Sequence, residues 1–244
     1  IVAITGTNGK STTTAWTGDI FRQAGRRVLV VGNIGRAMCE GVLEDPEALF
    51  VCEVSSFQLE DVRAFRPRVG VLLNFAPDHQ DRHASLAEYL EAKLRLFDRQ
   101  TPEDLALIGA DPALARAAEG RGRGRRARFA SADHGSEGAF VRGGILCLRH
   151  RGREIEVLSA ERLALPGPHN LENAMAAAAA GAELDVPVEA IARSLTSFPG
   201  LPHRLEPVGA VGGVRFVNDS KATNVDSLSV ALDTFPEPVV LIAG

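Results

Sequence analysis

Apolar side chains fall at consecutive positions, not alternating ones, in four short runs near the start of the chain: IVAIT (1–5), RRVLVVGN (26–33), ALFVCE (48–53) and VGVLLN (69–74). Only a strand covered on both faces tolerates that pattern, so the runs predict a parallel sheet with helices on each side. Between them, residues 11–25 read as a helix stopped by Gly25, and residues 85–97 set Leu86, Leu90, Leu94 and Phe97 at helical spacing.

The pattern then changes. DLALIG (104–109) adds a strand and residues 111–119 a short helix, whereas the RGRGRR run (121–126) predicts an exposed, solvated loop. Residues 138–157 read as antiparallel hairpins turning at Gly143 and Gly144. A small-residue helix starts near Asn170, its alanines suited to close packing on a neighbour, and a second helix covers 188–195. The Pro- and Gly-rich stretch 198–209 marks a domain junction. Beyond it, a strand (214–220), a helix (224–234) and a strand (238–244) make one βαβ unit. A single such unit cannot form a stable sheet alone. With Ile1 already inside a strand, the chain is expected to be a piece of a longer protein. The expected class is α/β: a P-loop NTPase-like, mostly parallel sheet flanked by helices, a small antiparallel hairpin region, and the opening of a second α/β domain.

Composition narrows the function classes. A 244-residue chain with 45% apolar and 24% charged residues is neither disordered nor collagen-like. A net charge of −4 argues against a nucleic-acid or membrane-surface footprint. The three scattered cysteines, with no C-x-x-C pair, fit the reduced thiols of a cytoplasmic protein.

Candidate chemistry gathers at strand ends. GTNGKS (6–11) joins a strand to a helix; its glycines let backbone amides turn toward one anion at the helix N-terminus. Lys10 would reach nucleotide phosphates and the Ser11 hydroxyl would ligate Mg2+, although the spacing departs from the usual Walker pattern at Ile4. Glu53 ends a neighbouring strand, where a metal-binding acid belongs. Asp78, His79, Asp81 and His83 form a polar cluster that suits a hard metal or a substrate carboxylate better than zinc. By spacing alone, Lys93 is one more surface lysine. Lys221 in NDSKATN (218–224) is out of place near a helix N-terminus unless an anion sits there, so it marks a second anion-facing loop.

TGTNGKST (5–12), GNIG (32–35), EVSSFQL (53–59), PDHQDRH (77–83), Lys93, HNLENA (169–174), His203-Arg204 and NDSKATN, in this order, resemble the Mur ligase family of ATP-dependent amide-forming enzymes. The shorter G-T-N-G-K loop belongs to that family. The resemblance implies a central ATP-binding domain over 1–199 and, over 200–244, the beginning of a Rossmann-like amino-acid-binding domain. It implies ATP and two Mg2+ ions as cofactors, with Gly6, Thr7, Asn8, Gly9, Lys10, Ser11, Thr12, Asn170, Asn173, Arg204 and Asp219 contacting the nucleotide. Ser11, Glu53, His79 and a carbamylated Lys93 would hold metal. Asn33, His79, Lys221 and Thr223 would face the substrates, and Lys10, Lys93, His79 and Arg204 would carry the chemistry. NDSKATN resembles the branch that joins D-glutamate to UDP-N-acetylmuramoyl-L-alanine through an acyl phosphate, acting as a cytoplasmic monomer with no nucleic-acid or membrane partner. A folylpolyglutamate synthase-like ligase and a non-catalytic nucleotide-binding scaffold are the alternatives. NDSKATN argues against the first; Glu53, His79 and Lys93 together argue against the second.

Overall fold

The consecutive apolar runs become the central strands of a nine-stranded sheet in a computed structural model that describes residues 1–78, 82–223, 225–235 and 237–243. In chain order the elements are β1 (Val2–Thr5), α1 (Lys10–Gln23), β2 (Val28–Gly32), α2 (Met38–Glu44), β3 (Leu49–Glu53), α3 (Ser56–Glu60), β4 (Val69–Leu72), α4 (Leu86–Leu94), β5 (Leu105–Ile108), α5 (Pro112–Ala118), β6 (Arg125–Ala130), β7 (Gly138–Arg142), β8 (Ile145–His150), β9 (Arg153–Ser159), α6 (Pro168–Glu183), α7 (Val188–Ser197), β10 (Glu206–Val211), β11 (Val214–Asn218) and α8 (Val225–Leu232). The sheet order is β2-β3-β1-β4-β5-β6-β7-β8-β9, parallel from β2 to β7 and antiparallel from β7 to β9. β1 thus lies between β3 and β4, where the winding of the chain reverses. In such sheets the crevice at the strands' carboxyl ends takes the ligand.

Both faces of the sheet are covered, as the unbroken apolar strands require. Val2 and Ile4 of β1 point into one core with Trp16, Ile20 and Phe21 of α1 and the alanines of α6. Ala3 points into the other with Phe50, Leu59, Leu94 and Phe97. The small residues of α6 do bring helices close: a Cβ on Gly181 would lie 2.9 Å from Ile20 Cγ2 of α1.

Three expectations are corrected. Part of the Arg-Gly run is strand β6, parallel to β5, because Ala127 and Phe129 alternate inward between arginines. Its arginines are engaged: Arg125 pairs with buried Glu183, and Arg121 with Glu91 and Asp98. The short helices α2 and α3 add elements for which the sequence carried no expectation. The junction ends at Glu206, where β10 begins, and β11 pairs with it antiparallel across Gly212 and Gly213, both at positive φ (58° and 82°). Residues 238–243 form no strand; among the described residues no strand pairs with them, and Val240 and Ile242 are each 90% exposed.

Candidate functional site

Four residues, Gly6 to Gly9, carry the chain from β1 at the centre of the sheet into α1. Gly9 has φ +81°, and a Cβ there would overlap Asn173 Oδ1 of α6. Among the described residues no side-chain hydrogen bond caps α1. Its first-turn amides and positive dipole end therefore face an open crevice suited to an anion. Gly9→Ala is expected to lower unfolding free energy by about 1–2 kcal/mol from the left-handed backbone alone. Displacement of Asn173 would add to that cost; urea titration of wild type and variant checks it.

The loop is braced from β4. Asn74, two residues beyond that strand, accepts hydrogen bonds from the Thr7 amide (3.1 Å) and the Asn8 amide (2.9 Å) on Oδ1, and donates from Nδ2 to the Asn8 carbonyl (3.1 Å). The Ala76 amide donates to Thr7 Oγ1 (3.0 Å), which lies 3.4 Å from the Tyr89 hydroxyl.

Three basic side chains converge here. The Lys10 ammonium donates to the carbonyls of Gly6 (3.1 Å) and Thr7 (2.8 Å). Burial holds its pKa below the usual lysine value; Glu53 and Asp78 pull it up and Arg204 pushes it down. Lys93, 1% exposed, donates to the Gly6 carbonyl (2.8 Å) and sits 4.3 Å from the centre of the Tyr89 ring. Burial, reinforced by Lys10 and opposed by Asp78, brings it down to about 7. The surface-lysine reading of Lys93 is thereby overturned, because α4 turns Tyr89 and Lys93 toward the loop and leaves Leu86 partly exposed. Arg204 donates to Ser11 Oγ (3.0 Å), aimed there by left-handed backbone at His203 (φ 64°) and Leu205 (φ 46°). Strain in non-glycine residues of this kind collects at functional positions.

Glu53 ends β3 beside Ile4 of β1 and is 2% exposed. Its Oε1 accepts from Asn33 Nδ2 (3.0 Å), while among the described residues no donor reaches the buried Oε2. A buried carboxylate oxygen that no described donor reaches fits a hard divalent cation such as Mg2+.

A cleft of about 1100 Å³ opens beside the loop, lined by Asn8, Gly9 and Thr12, by Asn170 and Asn173 of α6, and by Arg204, Asp219 and Lys221. Asn173 Oδ1 accepts from Thr13 Oγ1 (3.0 Å) and its Nδ2 donates to Asn170 Oδ1 (3.2 Å), so α6 and α1 share one polar seam. Asp219 Oδ1 accepts from the Leu205 amide (3.0 Å), and Ser227 of α8 donates to Asn8 Oδ1 (2.9 Å). Thr223 is exposed and Asn33 is turned to Glu53, both outside the cleft lining. The expectations for His79 and Asp81 lie outside the described residues. His83 is a packed residue: its ring stacks near Phe57 and Tyr89, Nε2 meets Ser56 Oγ (3.1 Å) and Nδ1 lies 3.3 Å from Glu60.

Asn74 and Tyr89 carried no role in the sequence reading. Asn74 sits at a strand's carboxyl end, the same signal that singled out Glu53. Tyr89 stands one helical turn before Lys93.

The family model for the Mur ligase middle domain matches residues 4–181. The UDP-N-acetylmuramoylalanine--D-glutamate ligase of Pelotomaculum thermopropionicum is 46% identical, the match covering 100% of this chain and 54% of that protein. Its namesake in Pelobacter propionicus is 48% identical with the same coverage. The chain thus spans about half the length of the curated relatives it matches. Among solved structures, MurF ligase from Thermotoga maritima in complex with ADP superposes with TM-score 0.73 at 18% identity, covering 96% of this chain and 57% of that one. An L. casei FPGS variant gives 0.67 at 15% identity over 98% and 72%. At such identities the two structures speak to the fold alone.

Proposed function

This chain belongs to the Mur ligase family, and from that premise we propose that it is the ATP-binding centre, over residues 1–199, and the start of the amino-acid-binding Rossmann-like domain, over 200–244, of a cytoplasmic, monomeric ligase that joins D-glutamate to UDP-N-acetylmuramoyl-L-alanine in peptidoglycan precursor synthesis. The observation that carries the reading is the convergence of Lys10, Lys93 and Arg204 on an uncapped helix N-terminus at the reversal point of the sheet. Identity of 40–48% to relatives named for that reaction supports the choice of amino acid, which fold likeness, shared with FPGS, does not. Among the described residues no helix is long and apolar enough to cross a membrane.

In this reading a carboxylate oxygen of the L-alanyl group attacks the γ-phosphorus of ATP and ADP leaves. The amine of D-glutamate then attacks the acyl carbon, expelling inorganic phosphate and losing a proton. Phosphoryl transfer asks a protein mainly for positioning and charge neutralisation. Lys10 and Arg204 neutralise the phosphates, the first turn of α1 orients them, and Asn170 and Asn173 hold the adenine side. Asp219 contacts the nucleotide, while Asn33, Lys221 and Thr223 face the substrates. Ser11, Glu53 and a carbamylated Lys93 would hold Mg2+, with His79 as a further ligand; bound there, the ions would supply positive charge against the triphosphate.

Phosphate release by the full-length protein, measured with ATP and UDP-N-acetylmuramoyl-L-alanine, is expected to require D-glutamate. Nucleotide binding with no release under any condition would leave a scaffold, and release independent of D-glutamate would remove the assigned reaction.

A further inference from the structure

We propose that Asn74 is a positioning residue for the phosphate loop: it fixes which backbone amides face the nucleotide. The inference rests on the nucleotide-site reading above and adds a residue to it. The Thr7 and Asn8 amides both end on Asn74 Oδ1, and the Asn8 carbonyl ends on Asn74 Nδ2. Two of the loop's donors are therefore spent inside the protein, and the peptide planes on either side of Asn8 are held from across the sheet. The donors left for a phosphate are those of the uncapped first turn that begins at Lys10. Freed from Asn74, the same short loop could turn Thr7 and Asn8 inward and Lys10 outward.

The chemistry selects a carboxamide of this length. It must accept two N–H groups and donate to one carbonyl, which an aspartate cannot do because it lacks the donor and an aliphatic side chain cannot do at all. The site is also closely bounded. A Cβ on Gly6 would lie 2.9 Å from Leu73 Cβ and 3.4 Å from the Asn74 amide, so the loop is pressed against the strand end that supplies Asn74. The Leu73 amide donates to the Thr5 carbonyl (2.9 Å) and the Thr7 amide also to the Asn74 carbonyl (3.2 Å), which keeps the side chain in register with the loop. The Thr7 hydroxyl near Tyr89 continues the brace to the residue beneath Lys93, so loop and lysine are held in one frame.

Two measurements on the full-length protein test this. The first compares Asn74→Ala with wild type for Mg-ADP affinity by calorimetry and for each substrate's KM. Roughly 10–100-fold weaker nucleotide binding, the scale seen when a group supporting a binding site is removed, is expected with the D-glutamate KM within about twofold. A general loss of fold would move all constants together. The second resolves amide exchange in wild type alone, and decides the matter if the alanine variant does not fold. Thr7 and Asn8 amides should be protected without nucleotide and unchanged by it, whereas the Lys10 and Ser11 amides should gain protection on adding Mg-ADP. Folded Asn74→Ala protein binding nucleotide as wild type does, or Thr7 and Asn8 amides that are protected only by nucleotide, overturns the proposal. Wild-type protein that binds no nucleotide removes the underlying site reading instead.

Discussion

Lys10→Ala in the full-length protein is expected to lower kcat/KM for ligation by roughly a hundred- to a thousandfold, or ~3–4 kcal/mol of transition-state stabilisation, the scale for removing one preorganised donor to developing charge. A lysine in the first turn of a helix is electrostatically misplaced unless it shares that position with an anion. In this chain the misplacement is compounded by burial and by Arg204, both of which disfavour the charged amine. Two loop carbonyls hold the ammonium in position, and Glu53 and Asp78 partly compensate its charge. A triphosphate would supply the missing counter-charge. Lys10→Arg should rescue poorly, because a planar fork cannot occupy the place of a compact ammonium bonded to two adjacent carbonyls. Unfolding midpoints close to wild type would separate lost chemistry from lost fold. Ligation at the wild-type rate by the alanine variant would remove Lys10 from the phosphate site.

The sheet was legible where burial on both faces wrote itself into the sequence, as in VAIT and LFVCE, and the glycine loop was legible because Gly9 needs both a left-handed backbone and no Cβ. β6 was not, because arginine stems can line a strand while their heads reach partners elsewhere; in RRARFA only Ala127 and Phe129 carry the period of two. The apolar run at 238–243 misled in the opposite direction, since a strand is a relation between two backbones and these residues have no paired neighbour among the described residues. The candidate site divides the same way. Lys10 and Ser11 announced themselves by position at a helix start behind a glycine loop, and Glu53 by ending a strand. Asn74 and Ser227 act through partners 66 and 219 residues away, which no local pattern contains. His83 looked like a ligand beside His79, but packing between aromatic rings explains it.

Lys93 shows why burial has to be known before a lysine can be read, and its removal should be the second large effect. Lys93→Ala in the full-length protein is expected to lose at least about a hundredfold in kcat, again the scale of a lost charge stabiliser. Its amine bonds to a backbone carbonyl and lies over an aromatic ring, and among the described residues no carboxylate comes within ion-pair distance of it. Such an environment disfavours the ammonium, and the pKa near 7 leaves an appreciable share of neutral amine at physiological pH. A neutral amine can add to CO2: nitrogen bonds to the carbon and one proton is released, giving a carbamate with a negative charge. That product inverts the electrostatics, replacing repulsion by Lys10 with attraction and adding two oxygens suited to a hard cation. The sign of the pH dependence follows. As pH falls through about 7 the amine is protonated and carbamate formation should fail, so at equal dissolved CO2 the recovery of decarbonated enzyme should be faster at pH 8 than at pH 6. Short carboxylic acids can enter the space left by the alanine and restore part of the missing charge, so acetate or propionate should raise the variant's kcat without changing that of wild type. A folded variant that stays inactive with such acids, or one fully active without them, would leave Lys93 as a loop-bracing amine and nothing more.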